Sequence, residues 1–134
     1  MKRDNLPWRG AQPATLYWNE AGVPVSETFD DVYYSQENGL EESRHVFLRG
    51  NDLPQRWHNH PQRHFCIGEL GFGTGLNFLL TWQAWRELPE SRPDLHYLSI
   101  EKHPLKHADL ASALDAWPTL ALLAKPLLDA YPGL

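Results

Sequence analysis

Short apolar blocks separated by turn-forming residues occupy the first 60 positions, and regular strand and helix periodicities take over after residue 63. Thr15 to Trp18 and Val23 to Ser26, separated by Asn19-Glu20-Ala21-Gly22, predict a β-hairpin that serves as a lid or flap, and Pro24 marks an edge strand. Gln36-Glu37-Asn38-Gly39 is a turn signal, and Leu40 to Leu48 predicts a short helix with Val46 and Phe47 facing inward. Asn51-Asp52-Leu53-Pro54 ends it. His58 to Gln62 reads as a polar loop leading into the apolar run His64-Phe65-Cys66-Ile67, a buried strand. From Thr74 to Leu88 the spacing is helical, with Leu76, Leu79, Leu80 and Ala84 on one face and Phe78, Trp82 and Trp85 widening the arc. Pro89 to Pro93 breaks that helix, and Leu95 to Ile100 is a second strand ending at Glu101. Pro104 suits a first helical position, Leu110, Ala113, Leu114 and Trp117 form the next buried stripe, and Pro118 and Pro126 divide the remainder into short helical pieces.

Strand, glycine turn, helix, strand, helix is the opening βαβα half of a doubly wound α/β sheet. The chain therefore divides into an N-terminal hairpin and helical extension, residues 1–60, and a first βαβα half, residues 61–134. Two parallel strands make a poor sheet alone, because such strands need both faces and edges covered, so the chain reads as the N-terminal part of something longer.

Composition narrows the classes. Of 134 residues, 42% are hydrophobic and 12% aromatic, enough to build a core and exclude general disorder. No run approaches the roughly 18 apolar residues of a bilayer span, and the opening MKRDNLPWRG is no signal peptide, so a soluble, cytoplasmic protein is expected. The net charge of −5 gives no global basic field for a phosphate backbone. Locally the balance shifts: seven acids and no Lys or Arg lie between Glu20 and Glu42, whereas Arg44, Arg49, Arg56 and Arg63 with four histidines face only Asp52 between Ser43 and His64. Those patches read either as two solvated faces or as a basic strip for RNA.

The chemistry sits in Glu69-Leu70-Gly71-Phe72-Gly73-Thr74-Gly75, a glycine-rich turn between strand and helix that lets a ligand lie against bare main chain. A dinucleotide fingerprint places its third glycine three residues after the second. Here that position is Leu76; the glycine comes one residue early, and an acid precedes the set. A pyrophosphate wants a helix N-terminus free of carboxylates, whereas S-adenosylmethionine has no phosphate and carries cationic sulfonium and amino groups. Glu101, ending the next strand, stands where such folds hydrogen-bond ribose hydroxyls. Thr74 either caps the helix or touches the methionine part of the ligand, and Asn77 is either a polar first-turn residue or a second such contact.

No metal site is expected: His58, His60 and His64, and the pair His103 and His107, lack an accompanying acid or thiolate on rigid elements and suit loop and capping roles. Cys66, inside the apolar strand, is expected to behave as a small hydrophobe. No nucleophile elbow or Walker sequence occurs.

The stretches FDDVYYSQENGLEE from Phe29, SRHVFLRGNDLPQRW, GELGFGTGLNFLLTWQAW and LSIEKHPLKHADL resemble the methyltransferase domain of MnmC, nearly throughout the chain from Thr15. The resemblance implies a partial Rossmann-like class I methyltransferase fold and the cofactor S-adenosylmethionine held by Glu69, Gly71, Phe72, Gly73, Thr74, Gly75, Asn77, Glu101 and neighbouring Lys102. It also implies a tRNA partner, a cytoplasmic home, and methylation of the aminomethyl nitrogen of 5-aminomethyl-2-thiouridine to 5-methylaminomethyl-2-thiouridine at the wobble position. That family fuses the domain to a C-terminal FAD-dependent oxidase, absent here, and its methyltransferase part continues through an aspartate-containing loop beside the substrate amine. This chain has no counterpart, so no catalytic residue is assigned, and the expectation is weak or no cofactor binding and no turnover by the chain alone. Two rivals stand beside this reading: an NAD-binding oxidoreductase fragment, and a non-catalytic tRNA-docking module on a degenerate methyltransferase fold.

Overall fold

The computed structural model describes residues 11–35 and 37–132. Residues 1–10 of the expected extension, and Gln36 of the expected turn, lie outside the described residues. Strands β1 (Leu16–Trp18), β2 (Pro24–Ser26) and β3 (Asp31–Val32) form an antiparallel sheet in that order. Asn19 closes the β1–β2 turn, its Oδ1 accepting the Ala21 and Val23 N–H groups at 3.0 Å each. The expected edge strand is instead central. Pro24 is tolerated there because it is the first residue of β2, where its missing N–H costs no interior rung, while its carbonyl still accepts the Tyr33 N–H at 3.0 Å.

Helix α1 (Gly39–Ser43) runs directly into a π-helical turn at Arg44–Leu48 and a 3₁₀ turn at Arg49–Asn51. The wider π turn shifts the phase of the side chains. Leu48 is buried, Phe47 half-buried and Val46 65% exposed, so the expected inward placement of Val46 is corrected. The short α2 (Gln55–His58) buries Trp57 edge-to-face on Phe65, with centroids 6.0 Å apart.

Strands β4 (His64–Leu70) and β5 (Asp94–Ile100) pair in parallel, Leu70 opposite Ile100, and the connection between them carries α3 (Leu76–Arg86). Chain order thus yields the expected mixed α/β arrangement. On one face Phe65 is buried, Leu95 and Tyr97 are half-buried, and Tyr97 meets Phe78 of α3 edge-to-face at 5.0 Å. The opposite face is bare: Leu70 is 89%, Ile100 70% and Leu98 65% exposed. Cys66 shares that face, so the expectation of a buried thiol fails, because strand alternation points it away from α3.

Leu79 and Leu80 of α3 are fully buried, as the helical spacing predicts, and they join Leu105, Leu110 and Leu120 in one core. Helix α4 (His107–Leu114) begins after Lys106, not at Pro104, whose carbonyl instead accepts the Ala14 N–H at 2.9 Å and ties the N-terminal segment to the core. Pro118 opens a 3₁₀ turn, but Pro126 lies inside α5 (Ala121–Ala130) without breaking it. Pro126 and Leu122, whose carbonyl loses its helical partner there, both lie on the exposed side of α5, where an unpaired carbonyl is open to solvent. No helix among the described residues is long and apolar enough to cross a membrane.

Candidate functional site

The strand ends of β4 and β5 deliver the glycine turn and Glu101 to one place. Gly71 continues the ladder, its N–H donating to the Ile100 carbonyl at 2.7 Å, and the chain then leaves the sheet with Gly71, Gly73 and Gly75 all at positive φ. Glu101 fastens the turn. Its Oε2 accepts the Gly73 N–H at 3.0 Å and its Oε1 the His103 N–H at 2.9 Å, so one carboxylate joins both strand ends.

The glycines differ in what surrounds them. A Cβ at Gly71 would meet nothing within 4 Å, and one at Gly73 would meet only the Tyr33 ring, at 3.8 Å. A Cβ at Gly75 would strike Phe72 Cζ at 2.8 Å and Leu127 at 3.3 Å. Gly71 and Gly73 thus leave main chain open to a ligand, whereas Gly75 makes room for Phe72. Gly75 also occupies the helix N-cap, at φ 73°, so the buried Thr74 does not cap α3.

Three cavities meet here. One of about 470 Å³ lies between the glycine turn and the β3–α1 segment, touching Gly71, Gly73, Thr74 and Asn77 on one side and Tyr33 and Ser43 on the other. A second, about 420 Å³, sits beneath the turn, between Phe72, Phe78, Tyr97 and Tyr131, with Ser99 and Glu101 as its polar groups. The third, about 300 Å³, runs under the hairpin and is touched by Phe29, Tyr33, Glu101 and His103. Each falls at or above the lower end of the roughly 300–1,000 Å³ usual for small-molecule sites. The N-terminal sheet is therefore a roof, with Tyr33 shared by the first and third cavities.

Of the expected contacts, Gly71, Phe72, Gly73, Thr74 and Asn77 line the first cavity and Glu101 the other two. Lys102 is exposed and lines none of the three. Glu69 is only 6% exposed and stands behind the walls, its oxygens accepting Asn77 Nδ2 at 3.0 Å and Ser99 Oγ at 2.9 Å. Among the described residues no Lys, Arg or His ion-pairs with it. Its charge is felt nonetheless: burial first, then Glu69, pushes the Tyr97 phenol far up, and burial followed by Glu101 raises Tyr33 and Tyr131. These phenols stay neutral around the site, and Tyr131 donates its hydroxyl to the Leu105 carbonyl at 2.8 Å.

Sequence reasoning did not single out Tyr33, Ser43, Ser99 or Tyr131. Tyr33, Ser43 and Ser99 lie within the FDDVYYSQENGLEE, SRHVFLRGNDLPQRW and LSIEKHPLKHADL stretches, the one available signal; Tyr131 reaches the site only through folding. Three of the four arginines of the basic strip are engaged within the fold: Arg44 with Glu41, Arg63 with Asp94, and Arg56 over the Phe65 ring. His60, in the loop before β4, meets the backbone carbonyl of His64, and His107, the first residue of α4, meets that of Leu128 near the end of α5. Among the described residues no group of three or more His, Cys, Asp or Glu side chains is placed to hold a metal ion.

The comparisons bear out the resemblance to MnmC. The tRNA 5-methylaminomethyl-2-thiouridine biosynthesis bifunctional protein MnmC of Aliivibrio fischeri is 53% identical over 133 residues, 96% of this chain and 20% of that protein. Its counterpart from Vibrio cholerae is 56% identical over 124 residues, 89% of this chain and 18% of that protein. The chain spans about a fifth of the length of these relatives. Among solved structures, the crystal structure of MNMC2 from Aquifex aeolicus superposes with a TM-score of 0.55 at 22% identity, covering 72% of this chain and 32% of that one, a likeness of fold. No family model matches the chain.

Proposed function

We propose that the chain carries the S-adenosylmethionine-binding part of a Rossmann-like class I methyltransferase domain, residues 61–134 forming its first half and residues 1–60 an N-terminal extension whose β1–β3 sheet roofs the site. In a longer, cytoplasmic protein of MnmC type it serves methylation of the aminomethyl nitrogen of 5-aminomethyl-2-thiouridine in tRNA, beside an FAD-dependent oxidase domain. The observation that carries this reading is the bond from the Gly73 N–H to Glu101: the open glycine turn and the strand-end acid form one polar seam where the cavities meet.

The residues fit the cofactor's chemistry. Each Glu101 oxygen keeps a lone pair after accepting its backbone N–H, which suits the two hydroxyls of a ribose. Tyr33, Phe72 and Tyr131 supply flat apolar surface beside it. Among the described residues the first cavity is touched by Asp31 and Glu42 and by no Lys, Arg or His, an environment for a cation that disfavours the pyrophosphate of a dinucleotide. When bound, S-adenosylmethionine supplies an electrophilic methyl group: the amine nitrogen takes it and releases a proton, while sulfur keeps the electron pair of the broken carbon–sulfur bond. The chain's own residues bind and orient, the main contribution such a displacement needs.

Titration of ¹⁵N-labelled chain with S-adenosylmethionine, S-adenosylhomocysteine and NADH tests the proposal, since amide shifts register even weak binding. The sulfur nucleosides should move the Gly71, Gly73 and Glu101 signals, and Glu101→Gln should weaken that response by about tenfold, the effect of one charge-assisted hydrogen bond. Shifts at these residues with NADH alone would refute it.

A further inference from the structure

Phe29 lines the third cavity, under the hairpin, and is nonetheless 66% exposed. The turn before β3 holds it there. Its N–H donates to Ser26 Oγ at 3.2 Å, the Asp30 N–H donates to the Ser26 carbonyl at 2.8 Å, and Asp31 then pairs back with Ser26 in the β2–β3 ladder. His103 is tethered as well, its N–H donating to Glu101, and its ring lies 5.9 Å from that of Phe29 at 59°. The two rings form an aromatic corner on the cavity wall.

Asp31 touches both this cavity and the one at the glycine turn, whereas Glu42 reaches only the latter and Glu101 only the second and third. Asp31 is exposed, and among the described residues no hydrogen bond or ion pair occupies its carboxylate. No Lys or Arg among the described residues lines the third cavity. A free carboxylate beside an open ring suits a flat heterocycle that carries a cationic amine: the heterocycle stacks on the ring, and the ammonium donates to the carboxylate.

We infer that the third cavity receives the base to be methylated, with Phe29 as its stacking surface and Asp31 as the specificity-determining residue that holds its aminomethyl nitrogen. This rests on the proposed function and deepens it: Asp31 and Tyr33 border both cavities, so an amine held there stands between the base and the cofactor. Asp30 supplies an internal control. It carries the same charge one residue earlier but lines neither cavity, and its Oδ1 accepts the Tyr17 hydroxyl at 3.4 Å.

Two nucleosides isolate the amine. 5-Aminomethyluridine and 5-methyluridine share ring and ribose and differ in the amino group alone. Added to ¹⁵N-labelled chain, 5-aminomethyluridine should move the Phe29, Asp31 and His103 amide signals and bind about tenfold more tightly than 5-methyluridine. Asp31→Asn should remove that preference while leaving 5-methyluridine within about twofold, and Asp30→Asn should preserve it. Phe29→Ala should weaken both uridines by about tenfold, and Phe29→Trp should restore them. A preference that survives Asp31→Asn, equal losses for both uridines in that variant, or no response at Phe29 and His103 would overturn the inference. S-adenosylhomocysteine, titrated into the same samples, reports the cofactor separately: its binding without any uridine response sinks this inference and spares the proposed function, and a uridine response without it does the reverse. Competition between S-adenosylhomocysteine and 5-aminomethyluridine would give the third cavity to the cofactor and refute its assignment to the base.

Discussion

Alanine placed in turn at Gly71, Gly73 and Gly75 divides one glycine-rich turn into a ligand-facing part and a packing part. All three residues have positive φ, 87°, 56° and 73°, so each substitution carries a backbone strain of about 1–2 kcal/mol. Beyond that they diverge. The alanine methyl at 71 enters open space and the one at 73 makes ordinary contact with Tyr33 at 3.8 Å, whereas at 75 it lies 2.8 Å from Phe72 Cζ and 3.3 Å from Leu127. Phe72 cannot simply swing aside, because its ring packs near Phe78 and Tyr131 at centroid distances of 6.1 and 6.3 Å. Overpacking of this kind adds about 1–3 kcal/mol, for a total of about 2–5 kcal/mol at position 75. With a urea dependence of about 1.5 kcal/mol/M, Gly75→Ala should unfold roughly 1–2 M earlier than Gly71→Ala. Ligand response should follow a different order: Gly73→Ala, whose methyl sits on the seam between Tyr33 and Glu101, should lose nucleoside binding while keeping the stability of Gly71→Ala. Equilibrium urea unfolding followed by tryptophan fluorescence, with the same samples titrated with S-adenosylhomocysteine, checks both. Equal midpoints for the alanines at 71 and 75 would refute the packing role of Gly75.

The phenols of Tyr33, Tyr34, Tyr97 and Tyr131 are all raised by burial, so stability should be level below about pH 10 and fall as pH rises above it, where the unfolded chain releases these protons first; absorbance at 295 nm should show tyrosinate appearing together with unfolding. Glu101→Gln should lower the titration midpoints of Tyr33 and Tyr131, whose phenols its charge helps to raise, and an unchanged alkaline titration would contradict that coupling. Leu79→Ala, at a fully buried position, should cost about 2–5 kcal/mol, while Leu70→Ser on the bare sheet face should change stability by less than about 0.5 kcal/mol, both measured by thermal and urea unfolding.

Local chemistry was enough to place the strands ending at Leu70 and Ile100, the helix between them, the glycine turn and the acid at Glu101, because each depends on residue spacing that acts over a few positions. Tertiary packing decided the rest. Val46 turned outward because a π-helical turn changed the phase of its helix, and Pro24 became central because β3 returned to pair with β2. Cys66 stayed exposed because α3 covers only one face of the parallel strands. Glu69 and Gly75, expected from the motif to face the cavity, were drawn behind its walls, one by Asn77 and Ser99 and the other by the Phe72 ring, while Tyr33, 40 residues before Gly73, was brought over the turn. Which side chains share a cavity depends on contacts between elements far apart in the chain, and spacing within any one element carries no record of them.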